Sequence, residues 1–111
     1  MERALIVKSE WLEKIFAGQK VWEMRSAPTK VRGKIGLIES GSGMIVGEAV
    51  LQDCLQPLSD ATARIHLDKH QVKDIELLRK WKYPWLLTNV RKYPKPIPYD
   101  HPKGAVIWVK L

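Results

Sequence analysis

Cysteine is almost absent: Cys54 stands alone in 111 residues. No intramolecular disulfide can form, and no Cys/His pair has zinc-finger spacing, which excludes a stapled secreted scaffold and a structural zinc site. Long apolar runs are missing too. The opening stretch Ala4–Val7 is far too short for a secretion signal, and nothing after it approaches a membrane span. The expectation is a soluble, cytoplasmic protein in a reducing compartment, with no membrane partner. Acidic residues are in deficit, twelve against nineteen Lys and Arg, for a net charge of +7. That balance suits polyanions such as nucleic acid or nucleotides. Repeats and interdomain linkers are lacking as well, so residues 1–111 are expected to form one domain.

What is present reads as short strands with a few helices between them. Ala4–Val7 is a β-prone run. Ser9 can cap a helix whose Trp11, Leu12, Ile15 and Phe16 share a face, and Gly18 fits the left-handed position after its end. Lys20 to Ser26 alternates as a strand, with Val21, Glu23 and Arg25 on one side and Lys20, Trp22, Met24 and Ser26 on the other. Charges repeated along a strand need solvent or a partner, so this strand is expected to be half core and half site.

A β run over Gly33–Glu39 leads through Ser40-Gly41-Ser42-Gly43 into Met44–Leu51, predicting a hairpin. In the second arm Ile45, Gly47, Ala49 and Leu51 share a face. The two small residues there would let another backbone or ring come close. Ser59–Arg64 predicts a short helix and His66–Trp81 a longer one ended by Pro84. Trp85–Val90 reads as a strand, Pro94 to Pro102 as an extended loop, and Ala105–Lys110 as a last strand. Strands outnumber helices and are mostly joined by short turns, which predicts a small, partly closed β-barrel with flanking helices.

The segment Gly18-Gln19-Lys20-Val21-Trp22-Glu23-Met24-Arg25 resembles the G-x-K-x-x-E-x-R signature of the ASCH domain. Ile45–Glu48 is similar to that family's next barrel strand, and Pro96-Ile97-Pro98 with Gly104–Trp108 to its closing segment. The resemblance implies an α+β fold, a PUA-like barrel of about five to six strands with two or three flanking helices, and a cleft to which the signature strand contributes. It also implies RNA binding. Some bacterial relatives are enzymes: one branch removes acyl groups from the exocyclic amine of cytidine nucleosides with a lysine, a threonine and a glutamate, and another is associated with ribonuclease activity. The lysine corresponds to Lys20, whereas Glu23 occupies the threonine position and the later acid is at best Asp74.

From these residues the leading reading is an RNA- or nucleotide-binding domain with a basic cleft, in which Lys20, Trp22, Glu23, Arg25, Lys30 and Arg32 bind ligand. Arg25 offers a planar fork, Lys20 a point charge, Glu23 an acceptor for an amine edge, Trp22 a stacking face, and Lys30, Arg32 and Lys34 long-range attraction. A second reading makes the same cleft a small hydrolase acting on N4-acylated cytidine or RNA, with Lys20 and Glu23 catalytic. A third is a protein-interaction module whose basic face is incidental. The alternative for the triplet is an ion-pair network, with Glu23 and Arg25 the better-matched pair, that merely braces the barrel. No cofactor or metal is called for by any of these.

Overall fold

A computed structural model describes residues 1–111. The chain runs β1 (Arg3–Val7), α1 (Ser9–Phe16), β2 (Trp22–Arg25), β3 (Gly33–Glu39), β4 (Met44–Cys54), α2 (Asp60–Ile65), α3 (Leu67–His70), α4 (Ile75–Lys80), β5 (Tyr83–Pro98) and β6 (Trp108–Lys110). The six strands form one sheet in the order β2-β5-β4-β3-β1-β6. Only β1 and β3 are parallel, and α1 with β2 provides the crossover between them. The long β4 and β5 carry register shifts at Ile45/Gly47, Glu48/Val50 and Leu51/Asp53. Such irregularities bend and twist a strand pair and curl the sheet toward a barrel.

Each element follows from its local chemistry. Leu12 and Ile15 of α1 are buried, Ala17 caps the helix, and Gly18 then takes φ 78°. In β4, Ile45, Gly47, Ala49 and Leu51 are all buried, as alternation requires. Leu5, Leu12, Ile15, Leu37, Leu51 and Leu87 join one core between the sheet and α1. A second core, Trp22, Met24, Ala63, Val72 and Leu78, fixes α2 to α4 against β2.

Two expectations are revised. The predicted helix over His66–Trp81 is broken: Gln71 adopts φ 61°, and Asp74 caps a new helix by accepting from Glu76 N–H at 2.9 Å. Four short helices therefore replace the expected two or three, because the 66–81 periodicity spans two helices that bury their residues separately. The proline-rich loop is instead the far half of β5, paired with β4 through Ile45↔Ile97 and Met44↔Pro98. There β2 no longer pairs with β5, whose contact with it ends at Tyr83–Leu86. Tyr99 N–H donates to Gly43 O toward the hairpin turn, and Pro94, Pro96 and Pro98 have the opposite parity. The missing donor of Pro98 thus falls on the unpaired side, and Pro94 and Pro96 lie in the register shift between Lys92 and Ile97; edges and bulges are where a strand tolerates proline.

Candidate functional site

Gly18 lets the chain turn at the end of α1, and the N–H groups of Gln19 and Lys20 both donate to Lys14 O. Lys20 is thereby tied to the helix terminus rather than to the strand, which begins at Trp22. Ideal strand alternation would put Lys20 and Glu23 on opposite faces. Because Lys20 precedes the strand, its Nζ instead lies 3.7 Å from Glu23 Oε1. Glu23 and Arg25, two apart within β2, face the same way: Arg25 Nε and Nη2 reach Glu23 Oε2 at 3.1 and 2.7 Å.

The triplet is deeply set. Lys20 is 1% exposed and Glu23 4%, while the Arg25 side chain retains 18%. Lys20 donates to the His70 carbonyl and stands 5.0 Å over the Trp11 ring, so the ammonium has a carboxylate, a carbonyl and an aromatic face around it. Burial nevertheless dominates and lowers the Lys20 pKa from 10.5 to about 8, against the opposing attraction of Glu23. Arg25 Nη2 also donates to Ile6 O of β1 at 2.8 Å. Strands β1 and β2 are separated by three strands in the sheet order, so this bond crosses the open seam of the barrel.

These groups line a cavity of about 240 Å³. Its walls come from four places: Trp11 of α1, Val72 and Trp81 of the helical insertion, Ser40 after β3, and Val106 and Ile107 before β6. Ile6, Lys8, Met24 and Ser26 complete its lining. Lys8, Trp11 and Ser40 were not anticipated from sequence. Trp11 reads as a core residue on the apolar face of its helix, and a serine in a Gly-Ser turn gives no signal of a cavity.

Trp22 lies elsewhere: it sits in the second core with its ring 5.0 Å from that of His66. Arg32 directs its guanidinium to Thr29 O, Val31 O and Asp53, Lys34 pairs with Glu48, and Lys30 is exposed outside the cavity lining. Asp74, the closest sequence counterpart to a later catalytic acid, is the exposed cap of α4 and contributes nothing to the cavity. Glu23 is the cavity's sole carboxylate.

The model of the ASCH domain matches residues 5–97. The chain belongs to the ASCH family. No curated protein matches it. Among solved structures it is similar to the crystal structure of ASCH from Zymomonas mobilis, with a TM-score of 0.74 at 15% identity over 99% of this chain and 87% of that one. Two single-substitution variants of the same Zymomonas mobilis protein superpose as well, with TM-scores of 0.74 and 0.73 at 16% identity, covering 99% of this chain and 89% and 87% of theirs. At such identity the likeness establishes the fold, a small PUA-like α+β barrel. No helix of this ASCH chain is long and apolar enough to cross a membrane.

One residue outside the triplet holds it in place. The buried His70 ring accepts from Val72 N–H through Nδ1 at 2.9 Å, so Nε2 carries the proton and donates to Ala63 O at 2.7 Å. This neutral tautomer fixes the His70 carbonyl that receives Lys20. Burial lowers the His70 pKa below its usual 6.5, so the unfolded chain binds the proton more readily than the folded one. Stability is then full above about pH 6.5 and declines as pH falls from there toward the depressed folded value. Urea midpoints measured from pH 7.5 to 5 should decline, and His70→Gln should flatten that decline. An equally steep loss in His70→Gln would assign it to other groups.

Proposed function

We propose that this ASCH domain, residues 1–111 acting as a unit in the cytoplasm, binds RNA or a nucleotide by admitting one base to the cavity of Lys20, Glu23 and Arg25. The observation that carries the reading is the division of labour at Glu23. Oε2 takes both Arg25 nitrogens, whereas Oε1 has only Lys20 at 3.7 Å, beyond ordinary hydrogen-bond length. Oε1 is therefore an acceptor held for an amine edge, such as that of cytosine or adenine, in a cavity that Trp11 and Trp81 help to line. Lys8 supplies positive charge for a phosphate. Lys30 and Arg32 add long-range attraction without touching the ligand.

Binding to nucleotides and short RNA should weaken steeply between 50 and 200 mM salt. Glu23→Gln and Lys20→Met should each lower affinity about tenfold or more, the scale of one charge-assisted contact. Calorimetry decides. Salt-insensitive capture of a protein, with no nucleotide bound, would replace this reading by the interaction-module one.

The loosened proton of Lys20 favours a second reading, a hydrolase. Near pH 8 a large share of Lys20 is the free amine, which can take a proton from water as the hydroxide adds to an acyl carbonyl on N4 of cytidine. The amine then leaves with that proton, giving cytidine and the carboxylic acid. Turnover of N4-acetylcytidine should rise through pH 8 and vanish in Lys20→Met while binding persists. Absence of released acetate at pH 9 would leave the site a binding cavity.

A further inference from the structure

A second cavity, of about 500 Å³, adjoins the first and shares Ile6, Ser40 and Val106 with it. Tyr99, His101, Ala105 and the glycines of the Ser40–Gly43 turn form its remaining walls. We propose that this second cavity is a subsite for the nucleotide next to the one held by Lys20, Glu23 and Arg25, so that the ligand is single-stranded RNA of at least two nucleotides. The inference rests on the nucleotide-binding reading above.

Size is the first argument. Small-molecule sites usually measure roughly 300–1,000 Å³. The first cavity lies below that range, with room for little beyond a base, while the two joined fall inside it. One of the residues that line both is Val106, which is 75% exposed. An apolar side chain left in water between two cavities gains most from a ligand lying across both.

Chemistry is the second argument. Tyr99 and His101 offer two aromatic rings, with centroids 5.7 Å apart and planes tilted by 58°. A base can stack on such rings whatever its identity, because every base has a π-face. The lining contains no carboxylate, and Glu23 next door is neutralised by Arg25 and Lys20. A phosphate joining two nucleotides therefore meets no uncompensated negative wall, and Lys8 is exposed beside it.

Preorganisation is the third. The Tyr99 hydroxyl and His101 Nδ1 are 2.8 Å apart, and His101 Nε2 lies 2.9 Å from Ala105 O. Since Ala105 O can only accept, Nε2 carries the proton and the tyrosine hydroxyl donates to Nδ1. Tyr99 N–H donates to Gly43 O and Ile6 N–H to Ile107 O, so both ends of residues 99–107 are tied to the barrel. Rings held this way lose little freedom when a base stacks on them.

Titration calorimetry of the purified chain tests this with the four 5′-ribonucleoside monophosphates and the four homodinucleotides. A dinucleotide should bind roughly five- to hundredfold more tightly than its mononucleotide, the range contributed by one stacked base. Tyr99→Leu with His101→Leu should erase that advantage and leave the mononucleotide affinity unchanged, and Tyr99→Trp should restore it on the His101→Leu background. A wild-type chain that binds mononucleotides and dinucleotides equally would overturn the second subsite and leave the first reading intact. Equal weakening of both ligands in the double variant would also overturn it. Binding of neither ligand by the wild type would remove the nucleotide-binding reading and this inference together.

Discussion

Glu23→Leu is expected to destabilise the fold by about 3 kcal/mol, near the lower end of the 3–5 kcal/mol seen when one partner of a buried ion pair is removed. Leucine fills the space but leaves Lys20, 1% exposed, without its carboxylate. Arg25 retains water on its 18% exposed side chain, and for that reason the upper end of the range does not apply. Lys20 limits the loss further by shedding its proton, since Glu23 is what raises its affinity for one. For a domain of this length such a loss lowers the melting temperature by roughly 10–20 °C. Lys20→Met on the Glu23→Leu background should recover stability, because it removes the orphaned ammonium. The result that sinks this account is a loss below about 1 kcal/mol for Glu23→Leu, which would class the triplet with exposed ion pairs.

The fold was legible where burial follows a simple period. The face Ile45, Gly47, Ala49, Leu51 is buried as alternation requires, and the end of the helix that precedes Gly18 was placed to within a residue. Legibility failed where two units shared one period, at His66–Trp81, and where partner geometry decided whether prolines fit a strand, at Pro94–Pro98. Neither the left-handed Gln71 nor the one-sided pairing of β5 has a local signature.

At the site, the closeness of Glu23 and Arg25 follows from two-residue spacing in a strand. Lys20 joins them only because its backbone is bonded to the end of α1, a tertiary circumstance that alternation cannot report. The remaining walls come from segments as distant as Trp11, Trp81 and Val106, which composition reads as core or loop. Trp22 shows the converse: it lies inside the signature, yet its side of β2 meets the helices. Arg25 links site and fold, since the guanidinium that holds Glu23 also closes the seam to Ile6 O.

Gly47→Ala should cost about 1–3 kcal/mol, although alanine in a strand interior usually gains roughly 0.5–1 kcal/mol over glycine. A Cβ at residue 47 would stand 2.5 Å from Arg91 O and 2.7 Å from two ring carbons of Phe16. The ring can be moved; the carbonyl belongs to β5, opposite this point of β4 through Gly47↔Lys92. Clash with the backbone should therefore dominate. Phe16→Leu should itself be mildly destabilising, and on that background Gly47→Ala should keep most of its cost. Urea midpoints of the two single variants and the double variant measure this. Near-complete recovery in the double variant would show that the ring alone demands glycine and that β5 can yield at Arg91. Retained cost would identify Gly47 as the point where the sheet's two longest strands, β4 and β5, are drawn together as the barrel curls.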